Sequence, residues 1–171
     1  MAESRSSRTR YLELIADDAE PLTAVVTSPQ GVGSPAPMIL TCYGGFGVAD
    51  LPVFEPAIPA WVEAGGYYAT AYVRGGGEHG AAWREAGRGR NKHRGIEDLA
   101  CIARGLIDAG LTRPELLILV GASHGGVLVT SCALGYPGLC SGVISTAAPL
   151  DLLSLEDHPL GAAWSQEFGD H

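Results

Sequence analysis

The sequence predicts an α/β fold, a mostly parallel sheet with helices on both faces. Two observations lead there. Short apolar runs such as Leu116 to Val120 alternate with segments whose apolar residues recur at spacings of three and four. One of these runs passes directly into Gly121-Ala122-Ser123-His124-Gly125-Gly126, the small-residue setting of a serine on a sharp strand-to-helix turn.

Taken in order, residues 1 to 10 read as a disordered tail, with Arg5, Arg8 and Arg10 among Ser and Thr. Tyr11 to Ile15 and Leu22 to Thr27 are expected as short strands around the turn-forming Asp17-Asp18-Ala19-Glu20-Pro21. A Gly, Ser and Pro loop follows, and Met38 to Cys42 then reads as a buried strand. Pro56 to Ala64 is expected as a helix and Tyr67 to Val73 as a strand. Gly75 to Gly95, rich in Gly and Arg, reads as a long loop, of the kind that is usually functional or mobile. From Ile96 the spacing of Leu99, Ala100, Ala103, Leu106 and Ile107 is helical, and Gly110 closes that helix. Leu116 to Val120, Val127 to Leu134 and Gly142 to Ser145 complete the pattern as strand, helix and strand.

Composition excludes several classes. A chain of 171 residues with 46% hydrophobic and 18% charged residues is long enough for one globular domain with a proper core. Its net charge of -8 argues against a nucleic-acid partner, which would require clustered Lys and Arg. No apolar run approaches the roughly 20 residues that span a bilayer. Cys42, Cys101, Cys132 and Cys140 lack C-x-x-C spacing and no signal peptide is visible, so the cytoplasm is the expected compartment and disulfides and metal are not expected.

Two glycine motifs compete as sites. Gly75-Gly76-Gly77-Glu78-His79-Gly80 satisfies G-x-G-x-x-G after a strand, but a dinucleotide fingerprint requires an acidic residue at the end of the next strand. Glu97 and Asp98 instead open a helix, so no cofactor is expected. The serine motif passes the same test of context. Strand, tight turn and helix follow in order, which projects the Ser123 hydroxyl above the sheet as a nucleophile. Tyr43-Gly44-Gly45-Phe46-Gly47 lies where a second oxyanion donor should lie, with the backbone N–H of His124 as the first and the Tyr43 hydroxyl as a further donor.

Tyr43-Gly44-Gly45-Phe46-Gly47, Val73-Arg74-Gly75-Gly76-Gly77-Glu78, Trp83, Asn91-Lys92, Gly121-x-Ser123-x-Gly125-Gly126 and Ala163-Trp164 with Phe168-Gly169 together resemble the catalytic domain of prolyl oligopeptidases, in the same order. The resemblance covers about residues 22 to 171 and implies an α/β-hydrolase-like fold lacking its last strands, preceded over residues 1–21 by a tail and a lead-in strand. It implies a serine peptidase that cleaves after proline in short peptides through a Ser123 acyl-enzyme. Tyr43 and the His124 N–H match the oxyanion donors, Trp164 matches the indole that stacks on the proline ring, and Phe46 lines the same pocket. His124 stands where the family usually has asparagine.

The family's propeller, triad acid and triad histidine have no counterpart in the resemblance. The segment after Ser123 is too short for two further βα units of about 30 residues each. Asp151 with His158 or His171 obeys the order Ser…Asp…His only superficially, because order does not place an imidazole within reach of the hydroxyl. His79 and His93 fall on the long loop and are expected to be solvated. The alternatives are an inactive remnant or peptide-binding module, and another acyl hydrolase, such as an esterase, of the same fold. A sheet ending at the Gly142 to Ser145 strand would expose an edge suited to self-association or a complementing chain.

Overall fold

The computed structural model describes residues 6–52, 55–154, 159 and 161–169. Among these residues six strands form, β1 (Ser7–Ile15), β2 (Pro21–Pro29), β3 (Met38–Thr41), β4 (Tyr67–Tyr72), β5 (Leu117–Ala122) and β6 (Gly142–Thr146). Five α-helices accompany them: α1 (Ala57–Glu63), α2 (Ala81–Ala86), α3 (His93–Asp108), α4 (His124–Gly135) and α5 (Gly161–Phe168). The strands form one sheet in the order β1-β2-β4-β3-β5-β6. The first two ladders are antiparallel and the remaining three, from β4 to β6, are parallel.

Strand alternation decides where the core lies. Leu22, Ala24 and Val26 of β2, Met38 and Leu40 of β3, Ala69 and Ala71 of β4, and Leu117 and Leu119 of β5 are buried. They join Leu99, Ile102, Ala103 and Leu106 of α3 and Leu128, Val129 and Cys132 of α4 in one cluster. The intervening residues Val25, Thr27, Thr41, Tyr68 and Thr70 turn to the other face, where Ile58 of α1 meets them. Helices therefore cover both faces, as the pattern of the sequence requires.

Helix α3 ends through its glycine. Gly110 takes φ 70, its N–H donates to the Ile107 carbonyl, and the Leu111 N–H reaches back to Leu106 at 3.1 Å. That pair of bonds closes the helix in a Schellman motif.

Two expectations are corrected. Residues 7 to 10, read as tail, extend β1, with Ser7 opposite Pro29 and Arg10 opposite Val26. Their side chains are exposed, so no apolar alternation marks them; the antiparallel ladder and a Thr9–Thr27 hydroxyl pair at 3.1 Å hold them instead. Gly75 to Gly95, read as a long loop, contains α2, a 3-10 turn at Gly89–Asn91 and the first turn of α3.

That stretch is folded by its Trp and Arg. The buried Trp83 indole donates to the Val73 carbonyl at 3.0 Å. Arg74 is buried, its Nε donating to Asp98 Oδ2 at 2.9 Å and its Nη1 to Asp18 at 2.6 Å. The hydrogen bonds to Asp98 hold the guanidinium firmly protonated.

Candidate active site

The nucleophile elbow forms where β5 passes into α4. Ser123 adopts φ 53 and ψ -120, outside the regions an L residue prefers. Glycine makes the turn sterically possible: a Cβ on Gly121 would meet the Gly125 carbonyl, and one on Gly125 would meet the Cys42 carbonyl oxygen. The Ser123 N–H donates to the Thr146 carbonyl at 2.8 Å. No hydrogen bond joins the Ser123 hydroxyl to another described residue, and the residue is partly exposed.

His124 is the first residue of α4, so its N–H has no partner within the helix and remains available to an oxyanion. The loop after β3 lies against the elbow, because the same Cβ on Gly125 would stand 3.3 Å from Tyr43 Cα. Burial first, and the Glu167 charge second, raise the Tyr43 phenol above its ordinary value, so it remains a proton donor at neutral pH.

An aromatic wall closes the site. The Phe46 ring meets Trp164 edge-on with centroids 5.1 Å apart, and Trp164 lies nearly parallel to Phe168 at 5.6 Å. His124 stacks on Phe168 at 5.3 Å, while Tyr43 tilts against the same imidazole at 5.9 Å. Tyr43, Phe46 and Trp164 are thus gathered around the ring of His124, the residue after Ser123.

Behind the wall lies a polar cluster that sequence reasoning did not assign. His124 is fully buried; its Nδ1–H donates to the Tyr43 carbonyl at 2.8 Å and its Nε2 accepts from Lys92 Nζ at 3.1 Å. Lys92 also donates to Glu167 at 2.5 Å, and Glu167 is only 1% exposed. Burial, reinforced by the Lys92 charge, lowers the imidazole to about 4. The ring is neutral at physiological pH. Asn91-Lys92 was visible as a motif without a role, whereas a buried Glu at the end of an acidic, polar segment carried no signal of burial.

The other described titratable candidates are bonded or packed to residues other than Ser123. His79 packs on Trp83 with centroids 4.7 Å apart, and His93 Nδ1–H donates to the Arg90 carbonyl at 3.1 Å. Asp151 accepts from the Ser154 hydroxyl at 2.6 Å, which holds its carboxyl below the usual range. His158 and His171 fall outside the described residues. Among the described residues, no three His, Cys, Asp or Glu side chains gather as they would around a metal ion.

The chain is similar to known proteins in sequence and fold. The model of the prolyl oligopeptidase family matches residues 52–171. The chain belongs to the prolyl oligopeptidase family. It is 35% identical over 133 residues to the prolyl endopeptidase of Elizabethkingia meningoseptica, covering 78% of this chain and 19% of that one. It is 39% identical over 129 residues to Protease 2 of Moraxella lacunata, covering 75% of this chain and 19% of the relative. The structure of a post-proline cleaving enzyme from Rickettsia typhi superposes with a TM-score of 0.92 at 28% identity, over 96% of this chain and 24% of that chain. The fold is thus that of the α/β-hydrolase domain of prolyl oligopeptidases. The chain spans about one fifth of the length of the curated relatives it matches.

Proposed function

We propose that Ser123 is the nucleophile of a serine peptidase that hydrolyses peptide bonds after proline in short peptides. The observation that carries this reading is the strained Ser123 backbone, set beside an unpartnered His124 N–H. In the reaction, Ser123 Oγ attacks the scissile carbonyl and its proton passes to a general base. The oxyanion receives hydrogen bonds from the His124 N–H and the Tyr43 hydroxyl, each worth about 3 to 4 kcal/mol to the transition state. Collapse of the tetrahedral species expels the amine, and water then hydrolyses the Ser123 ester. Trp164 and Phe46 offer flat apolar surface to the proline ring, which is rigid and uncharged.

Among the described residues, none brings a general base to Ser123. The His124 imidazole is committed to Tyr43 and Lys92, and Asp151 is bonded to Ser154. An acid and histidine from the rest of a family catalytic domain complete the reading. Without them the oxyanion donors and substrate binding alone would leave a rate of order 10³ to 10⁴ over water.

A second reading, a peptide-binding module without turnover, is favoured by that same absence of an imidazole at Ser123 among the described residues. The free thiols support action in the cytoplasm. At the β6 edge of the sheet Ile144 is 53% exposed, which supports pairing with a complementing chain or a second copy.

The test is phosphonylation with a fluorophosphonate probe, followed by turnover of paired peptides carrying proline or arginine before the scissile bond. Labelling that Ser123→Ala abolishes, together with preference for proline, supports the proposal. Preference for arginine would move the reading to another peptidase of the family, and binding without labelling would favour the module.

A further inference from the structure

We propose that the His124 side chain is a positioning residue, held as the neutral Nδ1–H tautomer between Tyr43 and Lys92 so that it fastens the oxyanion loop to the nucleophile elbow. The proposal rests on the serine-peptidase reading for its purpose, but its geometry stands apart from turnover.

Each partner of the ring fixes one proton position. A carbonyl oxygen only accepts, so the 2.8 Å contact with Tyr43 requires a proton on Nδ1. An ammonium only donates, so the 3.1 Å contact with Lys92 requires a lone pair on Nε2. Both conditions are met by a single species, the neutral Nδ1–H tautomer. A proton on Nε2 would face the Lys92 ammonium, with the Glu167 carboxylate 4.0 Å away as partial compensation. Lys92, Glu167 and Tyr43 are the titratable groups that meet this ring; Phe46, Trp164 and Phe168 surround the rest of it.

The bond then has a mechanical consequence. His124 supplies one oxyanion donor through its own N–H, and through its ring it holds the backbone of Tyr43, the other donor. The two donors are locked to a common imidazole. Gly45 is shaped for this: a Cβ there would stand 2.5 Å from both Cγ and Nδ1 of His124. Glu167 carries the fastening into α5, because it fixes Lys92 from the helix that bears Trp164 and Phe168. Loop, elbow and wall are therefore aligned through one side chain.

Asparagine can perform the same task from position 124, since its amide nitrogen falls near the place of Nδ1 and donates. Leucine fills the space without donating. The experiment is histidine side-chain nitrogen NMR on the whole chain, with the Tyr43 carbonyl carbon labelled. The expected spectrum shows His124 protonated on Nδ1 and bare on Nε2, unchanged as pH falls from about 8 to 5, where an ordinary histidine titrates. The Tyr43 carbonyl signal is expected to stay in His124→Asn and to shift in His124→Leu and in Gly45→Ala.

Lys92→Met with Glu167→Gln removes the ion pair without stranding a charge, and in that variant the Tyr43 carbonyl is expected to keep the proton on Nδ1 while the Nε2 signal shifts. An Nε2–H tautomer in the unmodified chain, or titration near the ordinary value, would overturn the proposal. So would a Tyr43 carbonyl signal in His124→Leu unchanged from the unmodified chain. None of these readings depends on turnover, so failure of the peptidase reading leaves its own signature in the probe experiment.

Discussion

The backbone N–H of Ser123 donates to the carbonyl of Thr146 at 2.8 Å, so β6 pins the one residue of the elbow whose φ of 53 is unfavourable for an L side chain. A residue held there stores of order 1 to 3 kcal/mol of strain. Glycine relieves that strain and alanine does not. Ser123→Gly is therefore expected to be more stable than Ser123→Ala by about 1 kcal/mol, even after the greater chain entropy of glycine is counted. Urea midpoints of the two variants measure the difference, and a lower midpoint for the glycine variant would show the elbow to be unstrained.

Stability toward acid follows from His124. Its value in the folded chain is about 4, against about 6.5 when unfolded, so between these the unfolded state binds the proton and the folded state does not. The stabilising contribution is complete above pH 6.5 and is lost as pH falls toward 4, by about 3 kcal/mol in all. Asp50 acts in the opposite sense, because burial and the Glu78 charge raise its carboxyl to about 6. Its neutral form is favoured in the fold, so it adds stability as pH falls. The difference between unmodified chain and His124→Asn isolates the histidine. His124→Asn should gain steadily on the unmodified chain as pH falls from 7 to 4 in urea titrations; a constant offset would mean that His124 titrates normally.

Arg74 anchors the start of the Gly75 to Glu78 segment to α3 through Asp98 and to the β1–β2 turn through Asp18. Losing one partner of a buried pair leaves a charge without compensation, at about 3 to 5 kcal/mol. Arg74→Met should cost that much. Arg74→Met combined with Asp98→Leu should recover much of it, since no buried carboxylate then remains unpaired. Equal destabilisation by the single and double variants would indicate that the guanidinium acts by packing alone.

Close backbone approach at the elbow predicts a sharp contrast between two glycines of α4. Gly125→Ala drives a methyl group into the Cys42 carbonyl oxygen, a backbone atom that cannot swing aside, and overpacking of this kind costs about 1 to 3 kcal/mol. Gly135 has open space around it, so Gly135→Ala should be neutral or stabilise the helix by up to about 1 kcal/mol. Thermal midpoints compare them. Displacement of the elbow should also abolish probe labelling of Ser123 in the first variant and leave it intact in the second.

The parts of the fold legible in the sequence are those in which burial writes a period. Leu116 to Val120 is a short unbroken apolar run, and Leu99, Ala103 and Leu106 recur on one side of α3, so the strand is visible from its run and the helix from its spacing. Ser7 to Arg10 gives no such mark, because a strand whose side chains are exposed is held by its ladder rather than by a core. In α2, glycines on either side of Ala81–Ala86 hide a helix that Trp83 anchors with one buried ring. The site divides in the same way. Ser123 and its glycines are readable because only small residues permit that turn, Tyr43 is suggested by the loop that follows the Met38 to Cys42 strand, and Trp164 by the resemblance alone. Glu167 was not, since a buried carboxylate depends on a lysine 75 positions away in sequence, which no local pattern records.

The most direct test of the central claim is mass-spectrometric mapping of a fluorophosphonate adduct on this chain, alone and with the remaining part of a family catalytic domain supplied in trans. An adduct confined to Ser123 is expected, formed faster when the family's triad acid and histidine are supplied and absent from Ser123→Ala. An adduct on another residue, or none on Ser123 under either condition, would contradict it.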